Sequence, residues 1–169
     1  MVNACPKLHI RIAGSDDVGG MCQILNEIIE IGGTTALEQV LSEDEFVEYF
    51  LKCDTYLTCF VAIDGSNFVA GFQALQRHEE LPDDWADIAT FARVSDRVLG
   101  TGRMLFSKTK DFAFAEKITA INATIRADNA GGLRYYNRMG FETYSINRGI
   151  PLKNGLEVDR ISKRYLMAR

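Results

Sequence analysis

Leu8, Ile10 and Ile12 alternate with polar neighbours, the two-residue period of a strand with one face turned to a core. Ser15 and Asp16 then offer caps for a segment whose apolar positions Val18, Met21, Cys22, Leu25, Ile28 and Ile29 recur at helical spacing. The stretch Gly32-Gly33-Thr34-Thr35 interrupts that helix, because two glycines are costly in a helix interior. Ser42 and Glu45 form a capping box ahead of a second helix carrying Phe46, Tyr49, Phe50 and Leu51.

Residues 57–63 and 68–75 are rich in β-branched and aromatic types, with hairpin-turn residues Asp64-Gly65-Ser66-Asn67 between them, which predicts adjacent antiparallel strands. The polar, Pro82-broken segment 76–84 reads as a loop, and 85–94 as a fourth strand. From Gly102 onward Met104, Leu105, Thr109, Phe112 and Ala113 give a helical stripe, and 118–125 alternates as a strand. A helix over about 130–138 ends at Gly140, a left-handed cap position, before strands at 141–146 and 157–166. The sum is an α/β chain, one domain over residues 1–169, with a mixed sheet of about seven strands flanked by about four helices.

Hydrophobic residues at 47% and charged residues at 25% describe an ordinary folding chain rather than a disordered one. With 19 basic against 23 acidic side chains and no Lys/Arg stripe, nucleic acid is not an expected partner. Nothing approaches the roughly 18 consecutive apolar residues of a membrane span. The amino terminus lacks the charged, apolar and small-residue segments of a secretory signal, so no membrane partner and a cytoplasmic location are expected. Cys5, Cys22, Cys53 and Cys59 form no CxxC pair and, with only His9 and His78, supply no zinc set. They read as reduced thiols packed as small hydrophobes, although Cys53 and Cys59 are spaced to be neighbours; no metal is expected.

Candidate chemistry is densest at Arg97-Val98-Leu99-Gly100-Thr101-Gly102, between a strand and a helix. Glycines let a backbone approach a ligand, and exposed N–H groups at a helix start favour phosphate oxygens. Two glycines also fit an ordinary tight turn. The spacing is neither G-x-G-x-x-G nor a P-loop with its Lys-Ser/Thr ending.

Arg97-x-x-Gly100-x-Gly102, followed by Leu105, resembles the phosphate loop of the GNAT superfamily of N-acyltransferases. Asn129-x-x-Gly132-Leu133-x-Tyr135-Tyr136-x-x-x-Gly140-Phe141 resembles that superfamily's second motif, with Gly132 where Ala is usual. Both blocks stand in order, and the similarity covers nearly the whole chain. The resemblance implies a GNAT-like fold whose sheet is splayed, and acetyl-CoA as acyl donor. Its pyrophosphate would lie on the backbone of Val98, Leu99, Gly100, Thr101 and Gly102, with Arg97 at the loop's start. Phe91, Ala92 and Val94 would border the pantetheine arm through their backbone, the side chains serving the core in any case. Asn129 would hold that arm or cap the following helix, and Arg103, Arg134 and Arg138 are candidates for the nucleotide end or solvated surface cations.

The same resemblance implies that Tyr136 donates a proton to the departing sulfur and that Asp87, where many relatives have Glu, is the base. A solvated aspartate near pKa 4 is a weak base, so that role needs burial. The segment from Gly32 to Glu38 resembles loosely the acceptor loop of the phosphinothricin acetyltransferase subgroup, which would place Thr34, Thr35 and Glu38 towards an acceptor's cationic amine. The implied reaction is direct attack by a primary amine of a small molecule or peptide, without a cysteine intermediate. A homodimer is the assembly that the family's members of this size imply. The competing function is a noncatalytic acyl-CoA-binding regulatory module, which would keep residues 97–102 and lack an acceptor pocket.

Overall fold

The computed structural model describes residues 7–168. The alternating amino-terminal segment forms β1 (His9–Ile12), followed by α1 (Val18–Ile31) and α2 (Glu43–Phe50). The hairpin is β2 (Tyr56–Ile63) and β3 (Val69–Gln76); then come β4 (Trp85–Ala92), α3 (Thr101–Ala115), β5 (Ala120–Arg126), α4 (Ala130–Arg138), β6 (Glu142–Pro151) and β7 (Glu157–Leu166). The seven strands make one sheet in the order β1-β2-β3-β4-β5-β7-β6. Every neighbouring pair is antiparallel except β4 with β5, so the sheet is mixed, as the pattern predicts.

Two layers of helix bury the two faces of this sheet. Met21, Ile24 and Leu25 of α1 and Phe46 and Phe50 of α2 pack with Val61, Phe72, Ala89 and Phe91. Phe106 and Ala113 of α3 and Tyr136 of α4 pack with Leu75, Ala86, Ile88, Ile121, Ala123 and Ile125. The two-residue period of β4 explains the division, since Ala89 and Phe91 face one layer while Ala86 and Ile88 face the other.

The Ser42–Glu45 capping box is present in both directions, with Glu45 N–H donating to Ser42 Oγ at 3.2 Å and Ser42 N–H to Glu45 Oε2 at 2.8 Å. At α1 the expected caps do not act. Ser15 and Asp16 lie in a 3₁₀ turn, Ser15–Asp17, that makes no side-chain cap bond. The buried Asp17 carboxylate instead takes the Gly14 N–H at 2.8 Å and an Arg11 fork at 2.6 and 2.9 Å. Ile12 is 59% exposed, so only Leu8 and Ile10 of the expected apolar triplet face the core. Strand β4 stops at Ala92 rather than Val94; Arg93 still donates its N–H to the Ala70 carbonyl in register with β3, and its Nε to the Val69 carbonyl. Cys22, Cys53 and Cys59 are free thiols; Cys5 lies outside the described residues.

The parallel pair positions the site. β4 and β5 are paired only at Trp85↔Ala120, Ala86↔Ile121 and Asp87↔Asn122. Beyond that rung β4 continues against β3 alone and β5 against β7 alone, so the sheet splits open from Ile88 and Ala123 onward.

Candidate active site

The split is the floor of a cleft of about 1110 Å³ that runs from the α1–α2 connection, across Asp87 to Ala92, to the first turn of α3 and the face of α4. Of the residues singled out in the sequence, Asp87, Phe91, Ala92, Val94, Arg97 through Arg103, Asn129, Arg134 and Tyr136 all line it. Glu38 does not. Its exposed carboxylate accepts the Lys153 backbone N–H at 3.1 and 3.2 Å, on the connection between β6 and β7.

At the α3 end, Gly100 has φ 86° and stands as the helix N-cap without any side-chain cap bond. A residue with a Cβ is strained at such a φ, which explains glycine there although a Cβ would meet no protein atom within 4 Å. Gly102 is required for a different reason, because a Cβ there would lie 2.6 Å from the Tyr135 ring. The first N–H groups of α3 have no carbonyl one turn back and open onto the cleft, with Arg97, Arg103, Arg134 and Arg138 around them. Unpaired amides, the positive end of a helix and four guanidinium groups fit a diphosphate.

Asp87 occupies the vertex of the split. Asn122 Nδ2 donates to its Oδ1 at 2.6 Å, and Tyr144 Oη donates to Asn122 Oδ1 at 2.6 Å, which orients the amide so that its nitrogen faces the carboxylate. Asp87 retains some exposure but is enclosed by protein, and desolvation pushes its pKa up against the opposing effects of the Asn122 bond, the His78 charge and the Ile88 N–H.

Tyr136, 7% exposed, places its hydroxyl 3.0 Å from Thr90 Oγ1. Burial, then the neighbouring Tyr135, holds its pKa far above the ordinary phenol value. Tyr135 Oη is committed elsewhere, donating to the Gly102 carbonyl at 2.8 Å while accepting from Gln73 Nε2 at 3.2 Å; burial pushes its pKa up to about 12. Gln73, fully buried in β3, also donates to Thr90 Oγ1 at 2.8 Å and accepts from the Thr109 hydroxyl. This network joins β3, β4, α3 and α4. Sequence patterning marks Thr109 only as a member of the α3 stripe and does not mark Gln73, Thr90 or Asn122, polar residues set among the apolar positions of β3, β4 and β5.

Asn129 caps α4, its Oδ1 accepting the Gly132 N–H at 2.8 Å, and its Nδ2 holds the Thr34 carbonyl at 2.9 Å. One side chain therefore fixes both the helix start and the Gly32–Glu38 segment, whose Thr34 and Thr35 line the cleft. Among the described residues no three His, Cys, Asp or Glu side chains gather to hold a metal ion.

The sequence profile of the acetyltransferase (GNAT) family matches residues 25–141, more than half of the chain. The protein belongs to the GNAT acetyltransferase family, whose general activity is transfer of an acetyl group from acetyl-CoA. An N-acetyltransferase from Staphylococcus aureus Mu50 superposes with a TM-score of 0.85 at 17% identity, over 96% of this chain and 99% of that one. A GNAT superfamily phosphinothricin acetyltransferase from Sinorhizobium meliloti, in complex with acetyl-CoA, superposes at 0.82 with 19% identity, over 95% and 89%. A ribosomal-protein-alanine N-acetyltransferase from Brucella melitensis does so at 0.82 with 19% identity, over 94% and 99%. At these identities the shared property is the fold. No curated protein sequence matches the chain significantly.

Proposed function

We propose that the protein is an N-acetyltransferase that moves the acetyl group of acetyl-CoA to a primary amine by direct attack within a ternary complex. The observation that carries this reading is the arrangement at the split. A desolvated carboxylate, Asp87, stands at the vertex, and a buried phenol, Tyr136, lines the same cleft, with helix-terminal amides for a diphosphate at the α3 end. Acetyl-CoA supplies a thioester whose carbonyl carbon is open to a neutral amine.

Each group then has a chemical task. The backbone of Val98 to Gly102, with Arg97, Arg103 and Arg134, takes the phosphate end, and the unpaired edge of β4 from Phe91 to Ala92, continuing to Val94, borders the pantetheine arm. Asp87, with its pKa raised towards the working pH, accepts the proton that the incoming ammonium must lose. Glu38, held on the Lys153 N–H outside the cleft, has no step in the transfer.

Tyr136 donates a hydrogen bond to the leaving sulfur, and the network sets the direction of that bond. The single proton of Tyr135 goes to the Gly102 carbonyl, so Gln73 must face it with nitrogen, which places the other Gln73 N–H on Thr90. Thr90, accepting there, has its own proton free for Tyr136, and the Tyr136 proton is left for the cleft. A phenol whose pKa lies well above that of a thiol, about 8.5, stabilises a thiolate by hydrogen bonding without surrendering its proton.

The Gly32–Glu38 segment supports a loose grouping with phosphinothricin acetyltransferase-like enzymes. We also place the protein in the cytoplasm as a single domain over residues 1–169, with a homodimer as its assembly. A screen of amines against acetyl-CoA, read by thiol release, tests the reading. Amine-dependent release is expected; acetyl-CoA binding with no release for any amine would favour the noncatalytic module.

A further inference from the structure

On the face of the sheet opposite Ile121, Ala123 and Ile125, the register sets Arg160, Ser162 and Arg164 of β7 beside Arg126, Thr124 and Asn122 of β5. Arg126 is fully engaged: Nε and Nη2 donate to Asp128 at 2.9 and 2.7 Å, and Nη1 to the Thr35 carbonyl at 3.3 Å. Arg160 is not. It lines the cleft, and its Nη1 is shielded from water with no acceptor among the described residues. The neighbouring acids are committed elsewhere, Asp128 to Arg126, Asp159 to Arg148 and the Gly149 N–H, and Glu38 to the Lys153 N–H. Arg164 Nε, on the same face, is likewise buried without a partner among the described residues.

This is a costly arrangement in a chain of net charge −4. A buried donor without a partner is destabilising, and more so when charged. Burial and the facing Arg126 both work against the Arg160 cation, and Asp128 and Glu38 only partly oppose them. An anion in the cleft would satisfy the free donors and offset the repulsion between the two guanidinium groups.

We propose that Arg160 is the anion subsite of the acceptor, binding a carboxylate carried by the same small molecule that presents the amine. The acceptor is then an amino acid rather than a polyamine or an amino sugar. The Asn122↔Arg164 and Arg126↔Arg160 rungs lie roughly 13 Å apart along the strands. The Arg160 and Asp87 side chains line the same cleft, so one acceptor can lie between them, with its carboxylate towards Arg160 and its amine towards Asp87. The subsite deepens the acetyltransfer reading and rests on it only in assigning the anion to an acceptor.

The test titrates N-acetylglycine, N-acetyl-L-leucine and N-acetyl-L-glutamate, each against its own carboxamide, into the protein saturated with coenzyme A, by calorimetry. At least one acid should bind about 10-fold or more tightly than its amide. Arg160→Gln should bring the pair to near equality, and Arg160→Lys, which keeps the charge without the fork and covers misfolding of the first variant, should retain part of the preference. Coenzyme A affinity should be unchanged in both. The subsite is overturned if no acid outbinds its amide, if the preference survives in Arg160→Gln, or if that variant loses coenzyme A affinity by a similar factor, which would assign Arg160 to the coenzyme. Thiol release with glycine, leucine, glutamate, spermidine and glucosamine separates the two claims. Acid preference through Arg160 without release leaves the subsite standing and overturns catalysis, whereas release with spermidine or glucosamine but no amino acid does the reverse.

Discussion

Asn122 donates a 2.6 Å hydrogen bond to Asp87 across the last rung that β4 and β5 share. The bond favours the carboxylate, yet burial outweighs it, so Asp87 holds its proton to a higher pH than a free aspartate, near 3.9. Turnover should therefore rise with pH as Asp87 ionises. Asp87→Asn should lose that rise and fall on the order of 10²- to 10⁴-fold in kcat, with acetyl-CoA affinity nearly intact. A kcat–pH profile equal to the parent's from about pH 6 to 9 would remove Asp87 as the base.

The same shift has a consequence for stability. Because the folded state raises this pKa, the contribution of Asp87 is present in full below the unfolded value and is lost as pH climbs through the folded one. Asp87→Asn should accordingly be at least as stable as the parent at pH 8, and relatively less favoured at pH 3.5. Thermal melts of both proteins at the two values check the sign.

Gly100 and Gly102 should fail differently when replaced by alanine. Gly100→Ala strains a φ of 86°, at roughly 1–2 kcal/mol of stability, and disturbs the backbone on which the diphosphate lies. Gly102→Ala drives a methyl group into the Tyr135 ring and should break the Tyr135–Gly102 hydrogen bond as well. Calorimetry with acetyl-CoA alongside urea melts should show weaker binding for both and the larger stability loss for Gly102→Ala.

Thr90 transmits orientation from Gln73 to Tyr136. Thr90→Val keeps the shape and removes the hydroxyl, so kcat should drop about 10-fold, the scale of one misdirected hydrogen bond, while Thr90→Ser restores it. Acetyl-CoA affinity should not move in either. Full turnover in Thr90→Val would show that Tyr136 needs no such orientation.

How much of this was legible beforehand follows the range of the interactions. The bounds of α4 and β7 and the Ser42–Glu45 box are set by neighbours within one or two turns, and periodicity and capping residues reveal them. The glycine turn at residues 97–102 is visible in the sequence itself, whereas its assignment to a coenzyme, and Tyr136, rest on motif resemblance. Gln73, Thr90 and Thr109 lie on three separate elements, and Arg126 meets Arg160 only through the β5–β7 register. Such pairings depend on strand order, which single-chain patterns do not carry. Glu38 shows the converse, since its segment does reach the cleft while its side chain is held by Lys153.

Tyr136→Phe tests the central claim most directly, with Tyr135→Phe as comparison. The phenylalanine keeps the buried ring and removes the donor, whereas the Tyr135 hydroxyl is already committed to Gly102 and Gln73. Steady-state thiol release on one verified amine, with acetyl-CoA binding measured on the same samples, should show Tyr136→Phe folded, binding acetyl-CoA like the parent, and slower by about 10- to 1,000-fold. Tyr135→Phe should lose about 1 kcal/mol of stability and little turnover. Parent-like turnover in Tyr136→Phe would contradict the account.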